Sequence, residues 1–172
     1  MNRYWRFVRE HWFGILVFCC IILAALLRFV NFENRWGLAY DQARDVIVAR
    51  EALNANKIPL IGPFSSAGQF VYGPQWFWIL MIIVGIYPNS VITPWIIQAA
   101  LYVGVVFWMI TIGREIEGKL FGVLIGLLTA VSSAQIGQSI NLTSPSMVGI
   151  FSIICVYFFI KYLKNGKNSY VF

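Results

Sequence analysis

Hydrophobic residues occur in five long runs, and charged residues collect between the runs. The runs cover residues of about 12–30, 73–87, 91–112, 120–136 and 147–163. Two stretches, Ile58–Gly113 and Leu120–Ile160, contain no acidic or basic residue. An apolar helix needs about 20 residues to cross the hydrocarbon core of a bilayer, and four of the runs approach that length. The pattern predicts an all-α, polytopic membrane protein.

The second apolar run differs from the others in length and in composition. Gly73 to Ile86 is 14 residues, which as a helix would span roughly 21 Å, less than a hydrocarbon core of about 30 Å. This run is also rich in the aromatic residues that favour the membrane–water interface: Trp76, Phe77, Trp78 and Tyr87. We therefore expect it to lie in the interface and not to cross.

The basic residues provide an independent test of this topology. With the arginine-rich N-terminus inside, five crossings would place three basic residues inside and ten outside, whereas four crossings place eight inside and five outside. The positive-inside tendency favours four. We predict a first outer loop at 31–90, a short inner loop at 113–119 and a second outer loop at about 137–146. Because no small-x-small cleavage site follows the first run, we expect it to remain as an anchor.

Composition supports a membrane protein and excludes several kinds of site. The chain is 59% hydrophobic and 12% charged, and its net charge of +6 comes from basic residues at the ends of the runs. That placement indicates orientation in a membrane, so we expect membrane lipids and no nucleic acid as partners. All three cysteines lie within apolar runs, and His11 is the only histidine. A histidine-based catalytic triad or multi-histidine metal cluster is therefore excluded within this chain.

The first outer loop contains four of the seven acidic residues. Residues 41–54 read as a short amphipathic helix. Its apolar side would hold Ala43, Val46, Ile47 and Leu53, and its other sides Asp41, Arg44, Asp45 and Glu51. Asp41 stands where an N-cap residue is expected. A connector with three prolines and three glycines at 57–74 predicts turns before the next helix.

Five short motifs follow one another in an order that is characteristic of one enzyme class. They are Tyr40-Asp41-Gln42-Ala43-Arg44-Asp45, Ala49-Arg50-Glu51, Tyr72-Gly73-Pro74, Gly113-Arg114 and Leu120-Phe121-Gly122. This order resembles the membrane glycosyltransferases that use polyprenyl-phosphate sugars, the GT-C superfamily. The class includes protein O-mannosyltransferases, the aminoarabinose transferases of lipid A and the catalytic subunits of oligosaccharyltransferases. The resemblance covers nearly all of the chain.

The resemblance implies that Asp41 is the catalytic carboxylate, which acts as a base or orients the acceptor. Chemistry agrees, because an acceptor hydroxyl, amine or amide must be activated before it displaces a sugar from phosphate. The alternative is a plain helix cap paired with Arg44. Asp45, Arg44, Tyr72 and Asn141 are the expected substrate-binding residues, although Asp45 could equally belong to a solvated face. The donor phosphate could be bound by Arg44, Arg50 or Lys57, or each of these side chains could simply face the surface.

The chain departs from the class at two points. Many relatives carry Asp-Glu where this sequence has Asp41-Gln42, and residues 135–146 lack the carboxylate that the second outer loop often supplies. A divalent metal ion prefers several oxygen ligands, so we expect no metal and no cofactor apart from the lipid-linked donor.

Residues 1–172 are therefore interpreted as the N-terminal portion of a hexosyl or pentosyl transferase, mannosyltransferase-like, in the cell membrane. It would transfer a sugar from a polyprenyl-phosphate carrier to an acceptor on the outer face, and the sequence does not indicate which acceptor. We expect the fragment alone to be inactive. The alternative is a small non-catalytic membrane protein, such as an assembly subunit or a transporter fragment.

Overall fold

A computed structural model describes residues 3–65, 68 and 70–166, with side chains from residue 9 onward. The side chains of Arg3 and Arg6 and all of Lys167, which enter the count of basic residues, lie outside the described part. Within it the chain forms one 3-10 turn at Phe32–Asn34 and seven α-helices. The helices are α1 (Arg3–Phe29), α2 (Tyr40–Asn54), α3 (Gln75–Ile86), α4 (Thr93–Glu117), α5 (Lys119–Val131), α6 (Ser133–Ser139) and α7 (Ser144–Asn165).

Three of these helices are long and apolar enough to cross a membrane: Arg9–Phe29 within α1, then α4 and α7. The prediction of a helical protein with several candidate spans is thereby confirmed. The predicted single span at 120–136 is wrong in detail, because α5 and α6 meet at a bend of 60°. The bend falls at Ser132, whose backbone is extended and whose hydroxyl accepts a hydrogen bond from the Gln135 N–H of the next helix. A fourth span exists only if the bent pair counts as one.

The loops between the spans are shorter than the sequence pattern predicted. The inner loop expected at 113–119 is reduced to Gly118, because α4 ends at Glu117 and α5 begins at Lys119. Gly118 has φ +90°, a conformation that favours glycine. The second outer loop expected at 137–146 is reduced to residues 140–143, since α6 and α7 extend into it from both sides.

Helix α4 is the centre of the bundle and packs against α1, α3, α5, α6 and α7. Its contact with α5 is the most extensive and depends on glycine. A Cβ atom on Gly122 would lie 2.6 Å from the carbonyl oxygen of Ile110 and 2.9 Å from the backbone nitrogen of Arg114. Small residues at such positions allow the backbones of two membrane helices to approach closely.

Arg28, at the end of α1, is completely buried against the bend between α5 and α6. One terminal nitrogen donates hydrogen bonds to the carbonyl oxygens of Ala24 and Ala130, each at 3.2 Å. Carbonyls in the last turn of a helix have no partner within the helix, and a cation there is favoured by the helix dipole. Arg28 thus links the end of α1 to the last turn of α5, next to the bend between α5 and α6.

The described part of residues 31–90, the predicted first outer loop, packs against one end of the helix bundle. α2 packs against α3, and α3 packs against α4. One continuous apolar cluster joins these elements to the start of α7, and it includes Val46, Trp76, Leu80, Trp95 and Met147. This cluster is the platform on which the polar groups of α2 are held.

Candidate functional site

A polar cavity of about 290 Å³ lies beside the first turns of α2. All five residues predicted as site residues line it: Asp41, Arg44, Asp45, Tyr72 and Asn141. The walls come from α2, from the connector after it and from residues 138–145. Three segments that are distant in sequence therefore meet at one site.

Asp41 is the acidic side chain of this cavity that remains open to solvent, with 59% of its side chain exposed. It is not the N-cap, contrary to the prediction. Helix α2 begins one residue earlier, and Ala39 occupies the cap position with an extended backbone. Asp41 therefore lies in the first turn, where the helix dipole favours a carboxylate. Its ion pair with Arg44, at 3.4 Å, is long.

Asp45 is buried and fully engaged. Its Oδ1 atom accepts hydrogen bonds from Arg44 Nε at 2.9 Å and from Arg44 NH2 at 2.7 Å. Its Oδ2 atom accepts one from Trp76 Nε1 at 2.8 Å. Of the two interpretations of Asp45, the solvated face is therefore wrong. The hydrogen bonds to Asp45 raise the pKa of the Arg44 guanidinium, which remains a cation between the two carboxylates.

The predicted amphipathic pattern of α2 is correspondingly wrong at Asp45 and Ile47, and it did not place Gln42. Gln42 and Asp45 are buried, whereas Ile47 is 54% exposed. The reason is that α2 faces the indole N–H groups of Trp76 and Trp95, which satisfy buried polar side chains. Hydrophobicity alone does not identify the buried side of such a helix.

Gln42 connects α2 to the segment before α7. Its Nε2 atom donates to Asn141 Oδ1 at 2.7 Å, and its Oε1 atom accepts from Trp95 Nε1 at 3.1 Å. In the sequence, Gln42 stands out only as a departure from an Asp-Glu pair, and this role was not predicted. The signal that could have revealed it is an amide where a carboxylate was expected, next to the candidate base.

A second glutamine holds the same segment from the other side. Gln98, on α4, is fully buried and donates from Nε2 to the carbonyl oxygens of Gln138 at 2.8 Å and Asn141 at 2.6 Å. Ser146 Oγ lies 2.6 Å from Gln138 Oε1 and 2.8 Å from the Asn141 carbonyl oxygen. Gln98 was also missed, although an amide inside a charge-free apolar run is itself a signal. The wall carrying Asn141 is thus held in place by several hydrogen bonds.

The two other candidate cations do not line the cavity. Arg50 donates from NH2 to the Ser90 carbonyl oxygen and so ties α2 to the turn before α4. Lys57 is exposed in the connector. Arg44 is therefore the one basic side chain that the described residues contribute to the cavity lining.

An apolar groove of about 580 Å³ adjoins the polar cavity between α3 and α7. The two share Tyr72, Ser144 and Pro145 as a common wall. The rest of the groove is lined by Gly73, Gln75, Trp76, Ile79, Met147, Val148 and Phe151. A ligand with a polar head and an apolar tail could occupy both spaces at once.

The described residues contain no cluster of three or more His, Cys, Asp or Glu side chains that could hold a metal ion. Independence of metal remains a prediction.

No protein-family model matches the chain, and no significant similarity to a curated protein or to a solved structure is found.

Proposed function

We propose that the protein is a membrane glycosyltransferase of the GT-C type, which transfers a sugar from a polyprenyl-phosphate carrier to an acceptor at the outer membrane face. One observation carries the proposal. The solvent-accessible carboxylate of Asp41 lies in a polar cavity that shares a wall with a large apolar groove. The cavity suits a sugar and its acceptor, and the groove suits the carrier's hydrocarbon chain.

The two carboxylates of the cavity have different environments and therefore different roles. Asp45 accepts three hydrogen bonds from Arg44 and Trp76, so both of its oxygen atoms are already engaged within the protein. Within the described part of the chain, the long ion pair with Arg44 is the polar contact that Asp41 makes. In the proposed reaction the acceptor attacks the anomeric carbon, the bond from that carbon to the phosphate oxygen breaks, and Asp41 takes the acceptor's proton. Asp45 positions Arg44.

The leaving phosphate gains negative charge, which positively charged groups must stabilise. Stabilisation of such developing charge is a large part of catalysis. Arg44 alone is a weak candidate, since two carboxylates already neutralise it. Groups beyond those in the cavity are therefore required for full activity. This is the physical basis of the expectation that residues 1–172 alone do not transfer sugar.

The test is the substitution Asp41→Asn in the full-length protein. We expect transfer from a radiolabelled polyprenyl-phosphate sugar to fall by about 10²–10⁴-fold, the usual contribution of a general base. The matched control is Glu51→Gln, an exposed carboxylate on the same helix that does not line the cavity. It should retain wild-type activity.

Both variants should insert into membranes as well as the wild type does, because each replacement is nearly isosteric. Equal transfer by the wild type and Asp41→Asn would exclude the catalytic role and return Asp41 to a plain ion pair with Arg44. A complete protein without any transfer activity would favour the non-catalytic alternative.

A further inference from the structure

The orientation of the Asn141 amide in the polar cavity is fixed by a relay of hydrogen bonds that begins at Trp95. An indole N–H can only donate a hydrogen bond. Trp95 Nε1 lies 3.1 Å from one end of the Gln42 amide, so that end is the carbonyl oxygen and the other end is the NH₂ group. This NH₂ group donates to Asn141 Oδ1 at 2.7 Å. The Nδ2 atom of Asn141 therefore faces away from Gln42.

The NH₂ group of Asn141 is available to a ligand. Asn141 lines the cavity, and within the described part of the chain its Nδ2 atom donates to no other group. Gln42 is itself buried, and a reversed Asn141 amide would set two NH₂ groups against each other. Asn141 thus offers the cavity a hydrogen-bond donor and not an acceptor.

Two hydroxyl groups lie where the polar cavity meets the apolar groove. Tyr72 and Ser144 line both spaces. Ser144 follows Asn141 by three residues in the same wall of the cavity. In a lipid phosphate, the phosphate links the apolar chain to the polar head. With the chain in the groove and the head in the cavity, the phosphate would lie at this junction.

We infer that Asn141, Tyr72 and Ser144 bind the phosphate oxygens of the carrier through uncharged hydrogen-bond donors. The inference rests on the proposed function, which supplies a polyprenyl-phosphate ligand. The oxygens of an ionised phosphate accept hydrogen bonds, and they therefore match a fixed NH₂ group and two hydroxyls. These donors position the phosphate, and the positive charge that the leaving group needs comes from elsewhere.

The placement of the negative charges in the cavity agrees with this assignment. Both carboxylates, Asp41 and Asp45, belong to α2, whereas the three donors belong to the connector and to residues 138–145. Because like charges repel, the phosphate is favoured at these two walls over a position against α2.

The test measures binding without sugar transfer and so does not require catalysis. The full-length protein in detergent micelles is titrated with a radiolabelled polyprenyl phosphate and, separately, with the polyprenol of the same chain length, which lacks the phosphate. We expect the wild type to bind the phosphate about tenfold or more tightly than the alcohol, since hydrogen bonds to a charged group are the stronger ones.

Asn141→Asp is the decisive variant. It keeps the size of the side chain and the oxygen that accepts from Gln42, but it replaces the NH₂ group with an oxygen. We expect it to bind the phosphate about tenfold or more weakly than the wild type and to bind the alcohol equally well. Tyr72→Phe, which removes only the hydroxyl, should also weaken binding of the phosphate selectively. Asn54→Asp adds the same charge at an exposed position outside the cavity and should bind both ligands as the wild type does.

Equal affinity of the wild type for the two ligands would overturn the inference. Unchanged binding of the phosphate by Asn141→Asp, or an equal loss for phosphate and alcohol, would also overturn it. Preference for the phosphate in a protein without transfer activity would support the inference and contradict the proposed function. Transfer activity without that preference would do the reverse.

Discussion

At the scale of single residues, hydrogen bonds decide which groups of α2 are available for chemistry. Asp41 and Asp45 are four residues apart and chemically identical. Asp45 is buried with three donors, whereas Asp41 is largely exposed. Gln42, between them in sequence, turns to the opposite wall and contacts Trp95 and Asn141. Each side chain thus has one role, set by the partners that the fold supplies.

The Gln42 contacts lead to a prediction about stability. Gln42→Leu leaves the Trp95 N–H and Asn141 Oδ1 without their hydrogen-bond partner. A buried polar group without a partner lowers the free energy of unfolding by about 1–3 kcal/mol. We expect a corresponding loss in the free energy of unfolding, measured by denaturation in mild detergent. Asn141→Leu should also lower the free energy of unfolding. The double variant should lose less than the sum of the two single losses, because both substitutions remove the same hydrogen bond. Asn54→Leu, at the exposed end of α2, is the matched control. Strict additivity would show that Gln42 and Asn141 do not interact.

At the scale of helices, a glycine allows the close contact between α4 and α5, whereas polar side chains make hydrogen bonds at the bend after α5. Gly122 lets the backbone of α5 approach Ile110 and Arg114 of α4. Arg28 donates a hydrogen bond to the Ala130 carbonyl oxygen near the end of α5. Helix α6 follows this bend, and its residue Gln138 contributes to the lining of the polar cavity.

Glycine at the α4–α5 contact gives a second prediction. Gly122→Ala places a methyl group against backbone atoms of α4, and such overpacking typically costs about 1–3 kcal/mol. Gly104→Ala, in α4, introduces the same methyl group where no other atom lies within 4 Å. Thermal unfolding followed by tryptophan fluorescence should show a lower midpoint for Gly122→Ala and an unchanged or higher midpoint for Gly104→Ala. Equal midpoints for the two variants would mean that the contact is not close.

At the scale of the whole molecule, the helices have two distinct ends. At one end, Arg114 and Lys119 both lie over the ring of Phe13, at 5.6 and 5.8 Å from its centroid. Lys161 of α7 pairs with Glu115 at 2.8 Å at the same end. The polar cavity lies at the other end, where α4 and α7 begin. The bent pair α5–α6 runs from the basic end to the cavity end, as one broken span would.

This arrangement gives a third prediction, about orientation. The basic end should face the cytoplasm and the cavity the outside. In a cysteine-free background, an impermeant maleimide added to intact cells should label Glu51→Cys. Glu117→Cys and Asn165→Cys should be labelled only after permeabilisation. Labelling of position 117 in intact cells would contradict the four-span model.

The elements that depend on local composition could be predicted from the amino-acid sequence. Uninterrupted apolar runs predicted helices of membrane-spanning length, and the short aromatic run predicted the 12-residue helix α3. Of the four acidic residues in the predicted first outer loop, Asp41 and Asp45 line the cavity. These properties follow from neighbouring residues, because hydropathy and helical periodicity are sums over a local window.

The pairing of polar groups could not be predicted, because it depends on how the helices pack. Gln42 and Asn141 are 99 positions apart, and nothing local to either one names its partner. The burial of Asp45 depends on the indole of Trp76, 31 positions away, and the bend at Ser132 lies beside Arg28 of another helix. A buried hydrogen bond is favourable only when both partners are brought together in a dry environment, and that environment exists only once the helices have packed.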